Sequence, residues 1–136
     1  MSNLTSSVPS SFLRRVLIVD ALTSAAMGLL LAVAAGFLER LLGVPAALLD
    51  YAGLSLIPFA ALVAYVGTRP NLPRPGVWAV IVCNVLWAAD SIVLLLSGYV
   101  APTGLGYAFV IAQALFVAIL AELEFIGLRR SPVVAP

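Results

Sequence analysis

The stretch Leu13-Arg14-Arg15-Val16-Leu17-Ile18-Val19-Asp20-Ala21-Leu22-Thr23-Ser24-Ala25-Ala26-Met27-Gly28-Leu29-Leu30-Leu31 decides the fold. Two arginines open an apolar run that a single acid interrupts. Over residues 12–36 this run exceeds the roughly 20 residues that carry a helix across a hydrocarbon core of about 30 Å. Three further runs of similar length follow, at residues 50–67, 76–96 and 104–128. The chain is 136 residues long, 63% hydrophobic and 10% charged, with a mean hydropathy of +1.16. That composition is too apolar for a soluble domain and the length suits one membrane unit. The expected fold is all-α, a four-transmembrane-helix up-down-up-down antiparallel bundle. Residues 12–130 would form the membrane domain, residues 1–11 a flexible N-terminal tail and residues 131–136 a C-terminal tail.

Charge sets the expected orientation. Arg14, Arg15, Arg69, Arg74, Arg129 and Arg130 flank the ends of the spans on one side, and only Arg40 lies on the other. By the positive-inside rule the arginine-rich side is cytoplasmic, and so are both termini. Arg14-Arg15, the apolar run and Ala32-Val33-Ala34 also resemble a secretory signal with an A-x-A site. The run is long for that role and carries Asp20, so it reads as a retained transmembrane helix. No basic run is long enough to track a nucleic-acid backbone, and nucleic acid is not an expected partner.

The connections are short. Residues 37–49, with Glu39, Arg40 and Pro45, read as an amphipathic link on the outer side. Thr68-Arg69-Pro70-Asn71-Leu72-Pro73-Arg74-Pro75 ends the second span with three prolines, each lacking the donor a continuing helix needs. Residues 97–103 form an uncharged outer turn. Tyr51, Tyr99 and Tyr107 fall at one interface and Tyr65 and Trp78 at the other, where amphipathic rings prefer to sit.

Polar residues suggest which faces look inward. Asp20, Thr23, Ser24, Met27 and Leu31 share one stripe of the first span; Tyr51, Ser55, Pro58, Leu62 and Tyr65 share one of the second. Asn84, Trp87 and Ser91 do so on the third, with Asp90 at the edge, and Gln113, Val117, Leu120 and Glu124 on the fourth. Polar seams in lipid face protein or a cavity, so all four are expected to converge. Asp20 and Asn84 lie at one depth, roughly 12 Å from the arginine side, and Asp90 and Gln113 at a deeper one. Two carboxylate-amide layers are the expectation. A mid-membrane aspartate costs about 2.5 to 3.5 kcal/mol on insertion, and each large aliphatic returns about 0.3 to 0.6, so the spans insert regardless. The ligand or proton-path candidates are Asp20, Ser55, Asn84, Trp87, Asp90 and Gln113. Each can instead be interhelical glue, with hydrogen bonds worth about 0.6 to 2 kcal/mol. Glu122, on the opposite face from Gln113, reads as a snorkelling surface acid. Ser24, Gly28, Ala32 and Gly36 form a small-residue ribbon suited to close helix packing, inside the bundle or in a dimer.

Absent residue types exclude chemistry. Without histidine there is no imidazole for a metal, a haem or a nucleophile pair, and without lysine no Schiff base. Cys83 is the sole cysteine, so no intrachain disulfide can form. Neither a catalytic residue, a cofactor nor a metal site is expected.

The segments from Leu13 through Ala21, Pro58 through Tyr65, Asn84-Val85-Leu86-Trp87, Gln113 through Glu122 and Gly127-Leu128-Arg129-Arg130 resemble a group of short bacterial four-helix inner-membrane proteins. That resemblance implies the fold and a bacterial inner-membrane location, and no biochemical role. The sequence thus leads to a non-enzymatic bundle embedded in a lipid bilayer. It would bind a lipophilic small molecule, or serve as a homodimer or as an accessory subunit of a membrane complex. The alternative is a small proton-coupled transporter that uses Asp20 and Asp90.

Overall fold

A computed structural model describes residues 10–130, which are entirely helical apart from their connections. The elements are α1 (Ser10–Val33), α2 (Ala35–Leu42), α3 (Ala46–Gly67), α4 (Arg74–Ser97) and α5 (Gly104–Arg130). All but α2 are long and apolar enough to cross a membrane, and no strand occurs among the described residues. The chain has the makings of an integral, multi-pass membrane protein. The expected tails lie largely outside the described residues, although α1 already includes Ser10 and Ser11.

The first expected span is broken near its end. At Ala34 the backbone leaves helical geometry (φ −108°, ψ 21°), yet Ala34 N donates to Leu30 O at 2.9 Å and Leu38 N to Ala34 O at 2.8 Å. These two backbone hydrogen bonds hold the chain on either side of the turn. Beyond the break, α2 buries Ala35, Leu38 and Leu42 and exposes Glu39 and Arg40, the pattern of a helix lying across the end of the bundle. Gly43 ends it in the left-handed region (φ 73°), which favours glycine.

α1 packs chiefly on α3, and α4 on α5; α1 also meets α5, while α3 and α4 touch sparsely. Two apolar clusters hold the helices. One gathers Leu13 and Leu17 of α1, Val63 and Val66 of α3, Val77 and Val80 of α4 and Leu128 of α5. The other, at the α2 end, combines Leu31, Leu38, Leu42, Val44, Leu49 and Leu56.

The arginines do more than mark an end. Arg14 Nη1 donates to the carbonyls of Gly67 and Arg69, each at 2.7 Å, and its Nη2 to Pro70 O at 3.1 Å. These carbonyls lie at and just beyond the last residue of α3, where orphan carbonyls and the helix dipole both favour a cation. Arg74 Nη1 reaches Leu128 O in the last turn of α5 at 3.4 Å. In each tightly packed pair, α1·α3 and α4·α5, an arginine from the first turns of one helix caps the end of the other. At the α2 end, Thr103 N donates to Leu42 O and its Oγ1 to Leu41 O, each at 2.9 Å. Thr103 Oγ1 also accepts from Gly106 N at 3.0 Å, which caps α5.

Candidate functional site

Three polar side chains are buried among the described residues: Asp20 of α1, Asn84 of α4 and Glu124 of α5, at 1%, 3% and 0% exposure. They form one cluster. Asn84 Nδ2 donates to Asp20 Oδ2 at 2.7 Å and to Glu124 Oε1 at 3.0 Å, which uses both hydrogens of the amide. The opposite amide orientation would aim its oxygen at two carboxyl groups, so the network fixes the rotamer. Ser24 Oγ donates to Asp20 Oδ1 at 3.1 Å. Glu124 Oε2 is fully buried with no hydrogen-bond partner.

Local sequence explains the assembly. Asp20 stands ten positions after Ser10 and Asn84 ten after Arg74, the first residues of α1 and α4, so the two reach one depth. Glu124 comes to meet them six positions before Arg130, the end of α5. Toward the arginine end, Leu17, Val80 and Leu128 close over the cluster, each buried.

A second polar layer lies closer to α2. Trp87 Nε1 donates to Gln113 Oε1 at 2.8 Å, and Gln113 Nε2 donates to Ser91 Oγ and to Val110 O, each at 2.9 Å. Ser91 Oγ donates to Trp87 O at 2.8 Å. This layer contains no carboxylate, so the expected Asp90–Gln113 pairing is replaced by an indole and a hydroxyl. Asp90 is exposed and lines a cavity instead.

Two cavities flank the second layer. One of about 70 Å³ touches Thr23, Ser24, Trp87 and Gln113 and lies between the polar layers. The other, of about 360 Å³, is walled by Met27, Leu31, Leu49, Leu94 and Phe109, with Tyr51, Ser55, Asp90 and Ser91 among its polar groups. Trp87 and Gln113 line both. The larger cavity lies between α3 and α4, where those helices touch least.

Asp20, Asn84, Trp87 and Gln113 thus meet inside the bundle, in two layers. Ser55 joins neither layer: Tyr51, Ser55, Pro58, Leu62 and Tyr65 lie on the exposed face of α3, where Tyr51 and Ser55 edge the larger cavity. Its buried face carries Leu49, Gly53, Leu56, Ala60 and Val63. The expected convergence of four seams is corrected to three, because α3 turns its glycine toward α1. Close backbone contact outweighs the burial of one serine hydroxyl. Gly28 is buried against α3, which assigns that part of the small-residue ribbon to packing within the chain, whereas Gly36 on α2 meets nothing within 4 Å. Cys83 is exposed on α4.

Glu124 was the residue to find. Its place on the Gln113 stripe, eleven positions on, was the available signal, although Glu124 was not among the candidates drawn from that stripe. No group of three or more Cys, Asp or Glu side chains poised to hold a metal ion occurs among the described residues. No protein-family model matches the chain, and neither does any curated protein or solved structure.

Proposed function

We propose that this chain is a non-enzymatic bacterial inner-membrane protein that binds a lipophilic molecule in the larger cavity. Its four spans would run up-down-up-down with both termini in the cytoplasm. Supporting this course, Arg14, Arg69, Arg74 and Leu128 come together at one end, and Leu42, Thr103 and Gly106 at the other. The observation that carries the binding reading is the cavity itself. Its volume of about 360 Å³ falls in the range of roughly 300 to 1,000 Å³ typical of small-molecule sites, with an apolar wall and few polar groups. The gap between α3 and α4 gives an entrance from the bilayer.

Native mass spectrometry of the protein extracted with its lipid annulus tests this reading. The expected result is a stoichiometric apolar adduct that is lost from Ala52→Trp, which fills the cavity. Recovery of the unliganded chain from both proteins would overturn it. The same spectra address an accessory-subunit role, which is supported by a shallow apolar groove of about 370 Å³ between α4 and α5, lined by Val85, Ala118 and Phe125 among others.

The second reading, a proton-coupled transporter, is favoured by the burial of Asp20 beside Glu124. Proteoliposomes should then show proton flux that Asp20→Asn or Asp90→Asn abolishes, since an amide keeps the size but cannot titrate.

A further inference from the structure

Two carboxyl groups share one amide in a site closed to the exterior. Both hydrogens of Asn84 Nδ2 are committed, one to each acid, and Glu124 Oε2 remains buried without a donor. Because both acids accept from the same amide nitrogen, at 2.7 and 3.0 Å, their carboxyl groups lie side by side. Among the described residues nothing cationic faces the pair. On α1 and α4 the nearest arginines, Arg14 and Arg74, donate to backbone carbonyls. From α3 the titratable groups Asp50, Tyr51 and Tyr65 are exposed, as are Asp90 on α4 and Glu122, Arg129 and Arg130 on α5. Two unpaired anions this close repel in a low-dielectric interior. One proton between them removes the repulsion and supplies the missing donor.

Access differs between the two ends. On the arginine side Leu13, Leu17, Val77, Val80 and Leu128, none more than 2% exposed, fill the space. On the other side Ser24 bonds Asp20 and also lines the smaller cavity. Its volume of about 70 Å³ accommodates about two waters at roughly 30 Å³ each, with Thr23, Ser24 and Gln113 as partners. Trp87 and Gln113, joined by their hydrogen bond, line both cavities together with Met27 and stand between them.

We infer that Asp20, Asn84 and Glu124 form a binding site for one exchangeable proton, loaded from the α2 end through the two cavities and past the Trp87–Gln113 partition. An excess proton arriving on water in the smaller cavity passes to the Ser24 hydroxyl as that hydroxyl gives its own to Asp20, which leaves neutral water behind, and Asp20 shares the proton with Glu124. Only O–H bonds form and break. The site stands independently of any lipophilic occupant, although an occupant of the larger cavity would cover the entrance.

Infrared spectroscopy in lipid nanodiscs tests the site. Replacing Glu39, Asp50, Asp90 and Glu122 by their amides leaves Asp20 and Glu124 as the only side-chain carboxyls, since the chain has six acids in all. All four replaced residues are exposed, so the variant spares the buried cluster. The expected spectrum shows the carbonyl stretch of a protonated carboxyl, which shifts in heavy water. Trp87→Ala should speed that shift at least tenfold by removing the partition, and Ala52→Trp should slow it by a similar factor. The absence of a protonated-carboxyl band would overturn the proposal. So would exchange at the same rate in both variants as in their parent. Either failure leaves the ligand reading intact, because the adduct is measured separately.

Discussion

Gly53 of α3 faces Gly28 of α1 so closely that a Cβ on Gly53 would lie 2.7 Å from the Gly28 carbonyl oxygen. It would also stand 2.8 Å from Ala32 N, and both neighbours are backbone atoms that no rotamer change can move. Gly53→Ala must therefore push α1 and α3 apart, at a cost of about 1 to 3 kcal/mol by analogy with overpacked cores. Gly36→Ala meets open space and should be neutral or gain up to about 1 kcal/mol from helix propensity. Unfolding of both variants in mixed micelles checks this contrast. Equal stability would mean that the crossing is looser than this geometry.

Arg14 and Arg15 count equally in any charge rule for topology but differ in structure. Arg14 holds three carbonyls at the end of α3, and Arg15 is exposed. Arg14→Ala should lower stability by about 1.5 to 3 kcal/mol, the worth of hydrogen bonds to a charged group, with the lower figure expected because two of the three are exposed. Arg14→Lys should recover only part of the loss, since an ammonium lacks the guanidinium fork. Arg15→Ala should change little. A loss from Arg15→Ala as large as that from Arg14→Ala would count against the cap.

Asn84 is the single donor shared by two buried acids. Asn84→Leu leaves Glu124 without a donor and Asp20 with Ser24 alone, and the expected loss is about 3 to 5 kcal/mol. Replacing Asp20, Asn84 and Glu124 together by leucine leaves only the Ser24 hydroxyl beside the smaller cavity and should restore most of that stability. Chemical unfolding of the single and triple variants gives the comparison. A triple variant less stable than Asn84→Leu would show that the layer stabilises the fold through more than satisfied hydrogen bonds.

Hydropathy located the spans because length and apolar content are properties of a segment alone. The faces were harder. On α1, α4 and α5 the buried polar groups have partners, so their seams point inward as read. On α3 the seam was chosen by polarity, whereas packing chose Gly53, a residue whose importance lies in the side chain it lacks. Asp90 was paired with Gln113 by depth, but Asp90 and Ser91 differ by about 100° around the helix, and Ser91 holds the inward position. The break at Ala34 has no proline or glycine of its own to announce it. Glu124 carried the right spacing and was placed on the inward seam, but nothing in its own segment showed that Asn84 would reach it from α4. The cavities arise from how helices pair, which no single segment encodes.

Orientation in the membrane gives the last prediction. Six of seven arginines flank one set of helix ends, and Arg14 and Arg74 are fixed there by their bonds to Gly67 and Leu128. That end is the one expected to stay in the cytoplasm, because arginine-rich loops resist translocation. In a Cys83→Ala chain, a single cysteine at Asn71 should be protected from a membrane-impermeant thiol reagent in intact cells and react once the cells are opened. One at Ala46, in the first turn of α3 beside α2, should react in intact cells. Cysteines at Ser6 and Ser131, outside the described residues, should behave like that at Asn71, since an even number of crossings returns both termini to one side. Labelling at Asn71 with protection at Ala46 would reverse the orientation while keeping the bundle. Opposite behaviour at Ser6 and Ser131 would instead require an odd number of crossings and remove the four-span reading itself.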